Sequence, residues 1–175
     1  MNLFYEDLTL SELEKKLDYS SIIKVLEKKF SVNEDVKIIN SLVAYSWFFF
    51  IEGDVNQKPL NFDPNFFLAK WKYFIDKGLE KFADESLFCL IAGYTLKLHG
   101  FYISSEYEFL GSKLLNKCVR LSSNNDIKEL ASYWLKDSKK SKKININSIA
   151  YSLFDGNLLL NKYFVDLLTK QNIQK

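Results

Sequence analysis

The sequence predicts an all-α protein, a single domain spanning residues 1–175 and built from stacked antiparallel helical hairpins. Three observations carry that expectation. Apolar residues make up 47% of the chain and aromatic residues 16%, with 15 Phe and 10 Tyr, which is material for one continuous core. Only 6 Gly and 2 Pro are available for tight turns, too few for a many-turned β sandwich. Apolar positions recur at helical spacing along the chain, and no strand-length alternation competes with them.

The elements follow in order. In "TLSELEKKLDY", Thr9 stands three residues before Glu12 and Ser11 three before Glu14, two overlapping capping boxes, with Leu10, Leu13 and Leu17 at helical spacing. "SSIIKVLEKKF" sets Ile22, Ile23, Leu26 and Phe30 on one face and Lys24, Glu27 and Lys28 on the other. "NEDVKIINSLVAYSWFFFIEG" opens acidic, as suits the positive end of a helix dipole, and closes at Gly53. The polar stretch "DVNQKPLNFDP" holds both prolines, and its end makes Asp63 an N-cap with Pro64 at the first helical position. The helix that starts there carries Phe67, Trp71, Phe74, Ile75 and Gly78 along one side. The next, from about Glu85 to Leu98, is apolar over most of its circumference, which predicts cover from more than one side and a central place in the fold. A helix to about Leu121, another in "NNDIKELASYWLKD", a short one after "KKININ", a turn at Asp155-Gly156-Asn157 and a last amphipathic helix complete the chain.

Charge and composition exclude several classes. The net charge of +2 is too small for a general polyanion binder. The lysines Lys136, Lys139, Lys140, Lys142 and Lys143 form a local basic run, whose ordinary reading is a solvated linker between helices. Glu6 and Asp7 stand where a signal peptide would be basic, and no long apolar run follows, so export by that route is not expected. "LVAYSWFFFI" and "LFCLIAGYTL" are ten residues each, half of the roughly 20 that span a bilayer, so both read as core helices and no membrane partner is expected. Cys89 and Cys118 lie inside apolar helical patterns and read as buried thiols.

A shift of 40 residues lays "WKYFIDKGLEKFADES" over "GSKLLNKCVRLSSNND", with Trp71 on Gly111, Ile75 on Leu115, Gly78 on Cys118 and Leu79 on Val119. A period of that length in helical pairs is the mark of a hairpin stack. Cys89, Ala92, Gly93 and Leu96 have the spacing of the first helix of a tetratricopeptide repeat, and Gly111, Leu115, Cys118 and Ser123 that of the second. Gly93 and Gly111 remove side chains where two antiparallel helices would be held apart. Cys89, Leu96 and Ser123 replace the usual Trp, Tyr and Pro, and the connection between the helices is longer than usual, so the pattern is tetratricopeptide-like. More broadly, "LIAGYTLKLHGFY" after "KWKYFIDKGLEKF" and before "SNNDIKELASYWL" resembles the immunity proteins of contact-dependent growth inhibition systems, encoded beside bacterial polymorphic toxins. That resemblance covers roughly residues 40 to 135. It implies a cytoplasmic protein that binds a cognate toxin, often a nuclease domain, and blocks its active site.

No chemistry stands out beside this. The single His99 lies beside Gly100 at a helix end, where a histidine favours the dipole and the last carbonyls. Ser104, Ser105, Glu106 and Glu108 are near it in sequence, but no nucleophile elbow or oxyanion arrangement accompanies them. No Cys/His spacing suits a metal and no Gly-rich loop suits a phosphate, so neither enzyme activity nor a cofactor is expected. The expected partner surface is the edge formed by two inter-helix connections, with Glu52 and Asp54 on one and Tyr102, Glu106, Tyr107 and Glu108 on the other. Two binding functions compete for it: neutralisation of a toxin, and an adaptor that holds peptide segments in the groove of a helical repeat.

Overall fold

A computed structural model describes residues 1–52, 62–135 and 145–170. Its nine described α-helices are α1 (Leu8–Lys15), α2 (Tyr19–Val32), α3 (Val36–Glu52), α4 (Pro64–Phe82), α5 (Ser86–His99), α6 (Ser105–Leu121), α7 (Asn125–Leu135), α8 (Ile146–Leu153) and α9 (Leu159–Lys170), with a 3-10 turn at Gly100–Tyr102. Among the described residues the only β pairing is one antiparallel bridge between Asn2 and Phe154. The basic run and the stretch between Gly53 and Asn61, Asp54 included, lie outside the described residues.

Short polar side chains start several helices by accepting free amides of the first turn. Asp18 caps α2 through the Ser21 N–H, Asp63 caps α4 through the Asn65 N–H ahead of Pro64, and Asn145 caps α8 through the Ser148 N–H. At α1 the expected capping boxes are not used. Asp7 takes the position, accepting from the Leu10 N–H at 2.9 Å while its other oxygen meets Lys29 at 2.8 Å. That tertiary ion pair decides among three polar residues in the same turn. Leu17, expected on the apolar stripe of α1, instead ends the helix at φ 55. The Leu17 N–H reaches the Glu14 carbonyl and the Asp18 N–H the Leu13 carbonyl, the bond pattern of a Schellman cap with leucine where glycine is usual.

The predicted faces pack as spaced. Phe67, Trp71, Phe74, Ile75 and Gly78 of α4 are all buried, and α5 is buried without a break from Phe88 to Leu96. α5 is the central helix, packed on α6, α3 and α7, while α3 also packs on α4. The two hairpins α3/α4 and α5/α6 repeat in burial as in sequence: Trp71 and Gly111, Ile75 and Leu115, and Gly78 and Cys118 are buried pairs, and Leu79 and Val119 are both half-buried. α5 and α6 run antiparallel, since Gly93 meets Leu115, Gly111 meets Lys97, and Gly100 meets Glu108. This order of contacts is that of stacked hairpins and fits the tetratricopeptide-like pattern.

The first seven residues carry no helical pattern, yet Leu3 and Phe4 are buried. The N-terminal ammonium donates to the Ser152 carbonyl, and the Phe4 ring lies 5.9 Å from Phe154 and 5.5 Å from Phe164. Phe164 of α9 is the meeting point of the first helices of the stack: its ring is 6.2 Å from Trp47 on α3, 5.7 Å from Tyr94 on α5 and 6.4 Å from Trp134 on α7. α9 therefore fills the face that α3, α5 and α7 share.

Candidate functional site

The C-terminal end of α5 and the start of α6 form a projecting corner. α5 cannot continue past His99 into a regular helix because the chain tightens into the 3-10 turn, whose Gly100 leaves room for the backbone of Glu108. That turn points Phe101 and Tyr102 outward, 52% and 51% exposed, and Phe109, one turn into α6, is 65% exposed. Phe101 and Tyr102 pair with each other at 4.4 Å, and Phe109 stands nearby in sequence with the Lys113 ammonium 4.5 Å over its ring; exposed aromatic side chains of this size are candidates for an interaction site.

The sequence-predicted residues distribute unevenly over this corner. Tyr102 lies on it, edge-on to Phe50 at 5.1 Å, with Phe101 at 4.4 Å. Glu106, Tyr107 and Glu108, expected on the connection between helices, lie instead inside α6, which already starts at Ser105; Glu106 and Glu108 are exposed in its first turn, where the helix dipole favours carboxylates. Neither is ion-paired among the described residues. Tyr107 is half-buried: its hydroxyl donates to Asp76 of α4, and Lys72 lies 5.2 Å from its ring centroid while pairing with Asp76 at 2.7 Å. It braces α6 against α4 and presents little of itself. Glu52, expected on a connection, is the last residue of α3, and the Phe50–Tyr102 contact brings that helix end near the corner. Asp54 falls outside the described residues. Phe101 was not singled out from the sequence; its signal is an aromatic pair directly after the glycine that ends an apolar helix.

His99 corrects another expectation. Its Nδ1 accepts the Trp47 indole N–H at 3.0 Å, so the ring is held neutral with its proton on Nε2. Burial moves its pKa below the ordinary value, opposite to the rise a helix C-terminus alone would cause. It is an acceptor that locks α5 to α3. Burial also pushes the Cys89 and Cys118 thiols up to about 11 and about 12, as suits inert packing groups.

Two open grooves occur elsewhere, one of 530 Å³ between α6 and α7 by Arg120, and one of 490 Å³ between the N-terminal segment, α1, α2 and α3 by Lys28 and Lys29. Among the described residues neither is lined by a carboxylate, histidine or cysteine. Among the described residues no three His, Cys, Asp or Glu side chains gather as a metal-ligand set, and no helix is long and apolar enough to cross a membrane. No protein-family model, curated protein or solved structure matches this chain.

Proposed function

We propose that this chain is a bacterial immunity protein: it binds a cognate toxin, a nuclease domain in the reading favoured here, and occludes that domain's active site in the cytoplasm. The observation that carries the reading is the corner itself, where Phe101, Tyr102 and Phe109 are half or more exposed beside unpaired Glu106 and Glu108. A nuclease must attract a polyanion and so presents lysine and arginine around its cleft. An inhibitor of near-neutral net charge still needs local carboxylates to meet them, and aromatic anchors that add buried area with little rotamer entropy lost. The bracing of Tyr107 on Asp76 and Lys72 keeps that surface preformed, which lowers the cost of binding. No turnover, cofactor, membrane or direct nucleic-acid contact enters this mechanism. The sequence resemblance to contact-dependent growth inhibition immunity proteins points the same way.

A helical-repeat adaptor would hold its peptide against the first helices of the stack. That face is occupied by Phe164, so the adaptor reading requires α9 to leave first. The experiment that separates the two is co-expression with the C-terminal domain of the protein encoded by the reading frame immediately upstream. Restored growth and a stoichiometric complex support neutralisation; continued killing and no complex refute it.

A further inference from the structure

Exposed charges on α4 are answered along the helix itself: Lys72 pairs with Asp76 at 2.7 Å and Lys77 with Glu80 at 2.7 Å, at spacings of four and three residues. α6 is different. Its outward face runs through Glu106, Phe109, Lys113, Asn116 and Arg120, five exposed residues spaced alternately three and four apart. None of the charged members has an opposite charge three or four residues away on α6, and none is ion-paired among the described residues. Glu106 and Lys113 share the stripe seven residues apart, about 10 Å along the axis, too far to meet each other.

The helix dipole accounts for the acid at the start of α6 and for Arg120 at its end. It does not account for Lys113 in the middle, or for Phe109, which is 65% exposed with the Lys113 ammonium 4.5 Å from its ring centroid. A large ring left in water between a carboxylate and an ammonium has the order of an interface, apolar at its centre and charged at its rim. A second α6 laid antiparallel on the first matches that order. Glu106 of each copy then faces Lys113 of the other, and the two Phe109 rings meet near the two-fold axis. The register that would set Glu106 on Arg120 puts the two Lys113 ammonium groups against each other, and a parallel pairing in register sets like charge on like.

From this arrangement we infer that the outward face of α6 is a self-association surface whose occupant is a second copy of the chain, in antiparallel, isologous contact through Glu106, Phe109 and Lys113. One helical stripe is smaller than the roughly 800 Å² that each side of a standard interface buries, so the pair is weak and reversible. It shares Glu106 and Phe109 with the corner proposed for the toxin, so the second copy and a toxin bound there exclude each other. The pairing belongs to the chain alone, and its test needs no toxin.

Sedimentation of the full-length chain between about 10 and 500 μM reads the association, in the range of a weak complex. The wild type is expected to pass from monomer to dimer over that range. Glu106→Lys and Lys113→Glu each set like charges opposite one another and should each weaken dimerisation at least tenfold, as should Phe109→Ser. An equimolar mixture of the two charge variants is the sharper readout. One then carries only lysine and the other only glutamate at the paired positions, and their heterodimer should form to within about threefold of the wild-type affinity. Should Glu106→Lys unsettle the first turn of α6, Lys113→Glu and Phe109→Ser decide the matter by their loss of association. A wild type that stays monomeric throughout overturns the inference. So do reversals that leave dimerisation unchanged, or a mixture that associates no better than either variant alone.

Discussion

Gly111 brings α6 so close to α5 that a Cβ added to it would stand 2.3 Å from the backbone nitrogen of Lys97. The nearest atoms belong to backbone, not to a side chain that could turn away. The same contact fixes the register in which Lys97 reaches over to the last carbonyls of α7, donating to Trp134 at 2.5 Å and Leu135 at 2.9 Å.

Gly111→Ala is therefore expected to lower stability by about 2 kcal/mol: overpacking against rigid backbone outweighs the roughly 1 kcal/mol gained in helix propensity. Gly93→Ala, whose nearest contacts are at 3.0 and 3.1 Å and include the Leu115 side chain, should lose under about 1 kcal/mol by the same reasoning. Urea unfolding of the two variants checks the order; equal midpoints would contradict it.

Tyr45 is buried and donates its hydroxyl to Glu14 at 2.6 Å. Tyr45→Phe leaves that half-buried carboxylate short of a donor and should cost about 1.5–3 kcal/mol, the range for hydrogen bonds to charged groups. Burial holds the Glu14 pKa above its ordinary value of 4.5, despite the bonds from Tyr45 and Leu159 that lower it. A carboxyl raised in the folded state contributes its stability below the unfolded value and loses it as pH rises through the folded one. Glu14→Gln should remove that decline, measured as the difference in unfolding free energy between variant and wild type from pH 4 upward.

His99 gives the opposite sign. Burial lowers its pKa below 6.5, and protonation at Nδ1 would end the bond from Trp47. Its contribution is complete above the unfolded value and falls as pH drops from about 6.5 toward the folded value. An NMR titration should show the Trp47 indole proton shifting together with the His99 ring, at a midpoint below 6.5. A midpoint above that value would contradict the assignment.

The periodic parts of this fold were legible in the sequence. The stripe from Phe67 to Gly78, the all-round apolar α5 and the 40-residue correspondence of Trp71 with Gly111 each follow from spacing within one or two helices, and each is buried as spaced. What stayed hidden depends on contacts distant in sequence. Asp7 displaces Thr9 and Ser11 as cap because Lys29 meets it, and Leu17 leaves its stripe because Asp18 starts a new helix at once. Leu3 and Phe4 lie in a segment too short to show a period; Phe4 is buried against Phe154 and Phe164, and the Leu3 carbonyl accepts from Asn40 of α3, contacts that no local pattern announces.

At the corner, the sequence predicts a connection that holds Glu106 and Glu108, with the next helix starting after Phe109; α6 begins at Ser105 and takes both into its first turn, while Tyr102 alone stays on the short connection, against Phe50 near the end of α3. The role of Tyr107 was not legible, since its partners Asp76 and Lys72 sit on α4, a helix away. The filling of the shared face by Phe164 was equally out of reach of a pattern read along the chain.

The central claim is that the corner of α5 and α6 binds a basic toxin surface, and calorimetric titration of the Glu106→Lys, Glu108→Lys double variant against the co-purified toxin domain tests it most directly. Fold stability should hold within about 0.5 kcal/mol, because exposed charges at a helix start contribute little to folding. Binding should weaken by roughly 2–5 kcal/mol, the scale of charge pairs desolvated at an interface. An affinity equal to that of the wild type, with the fold intact, would contradict the account.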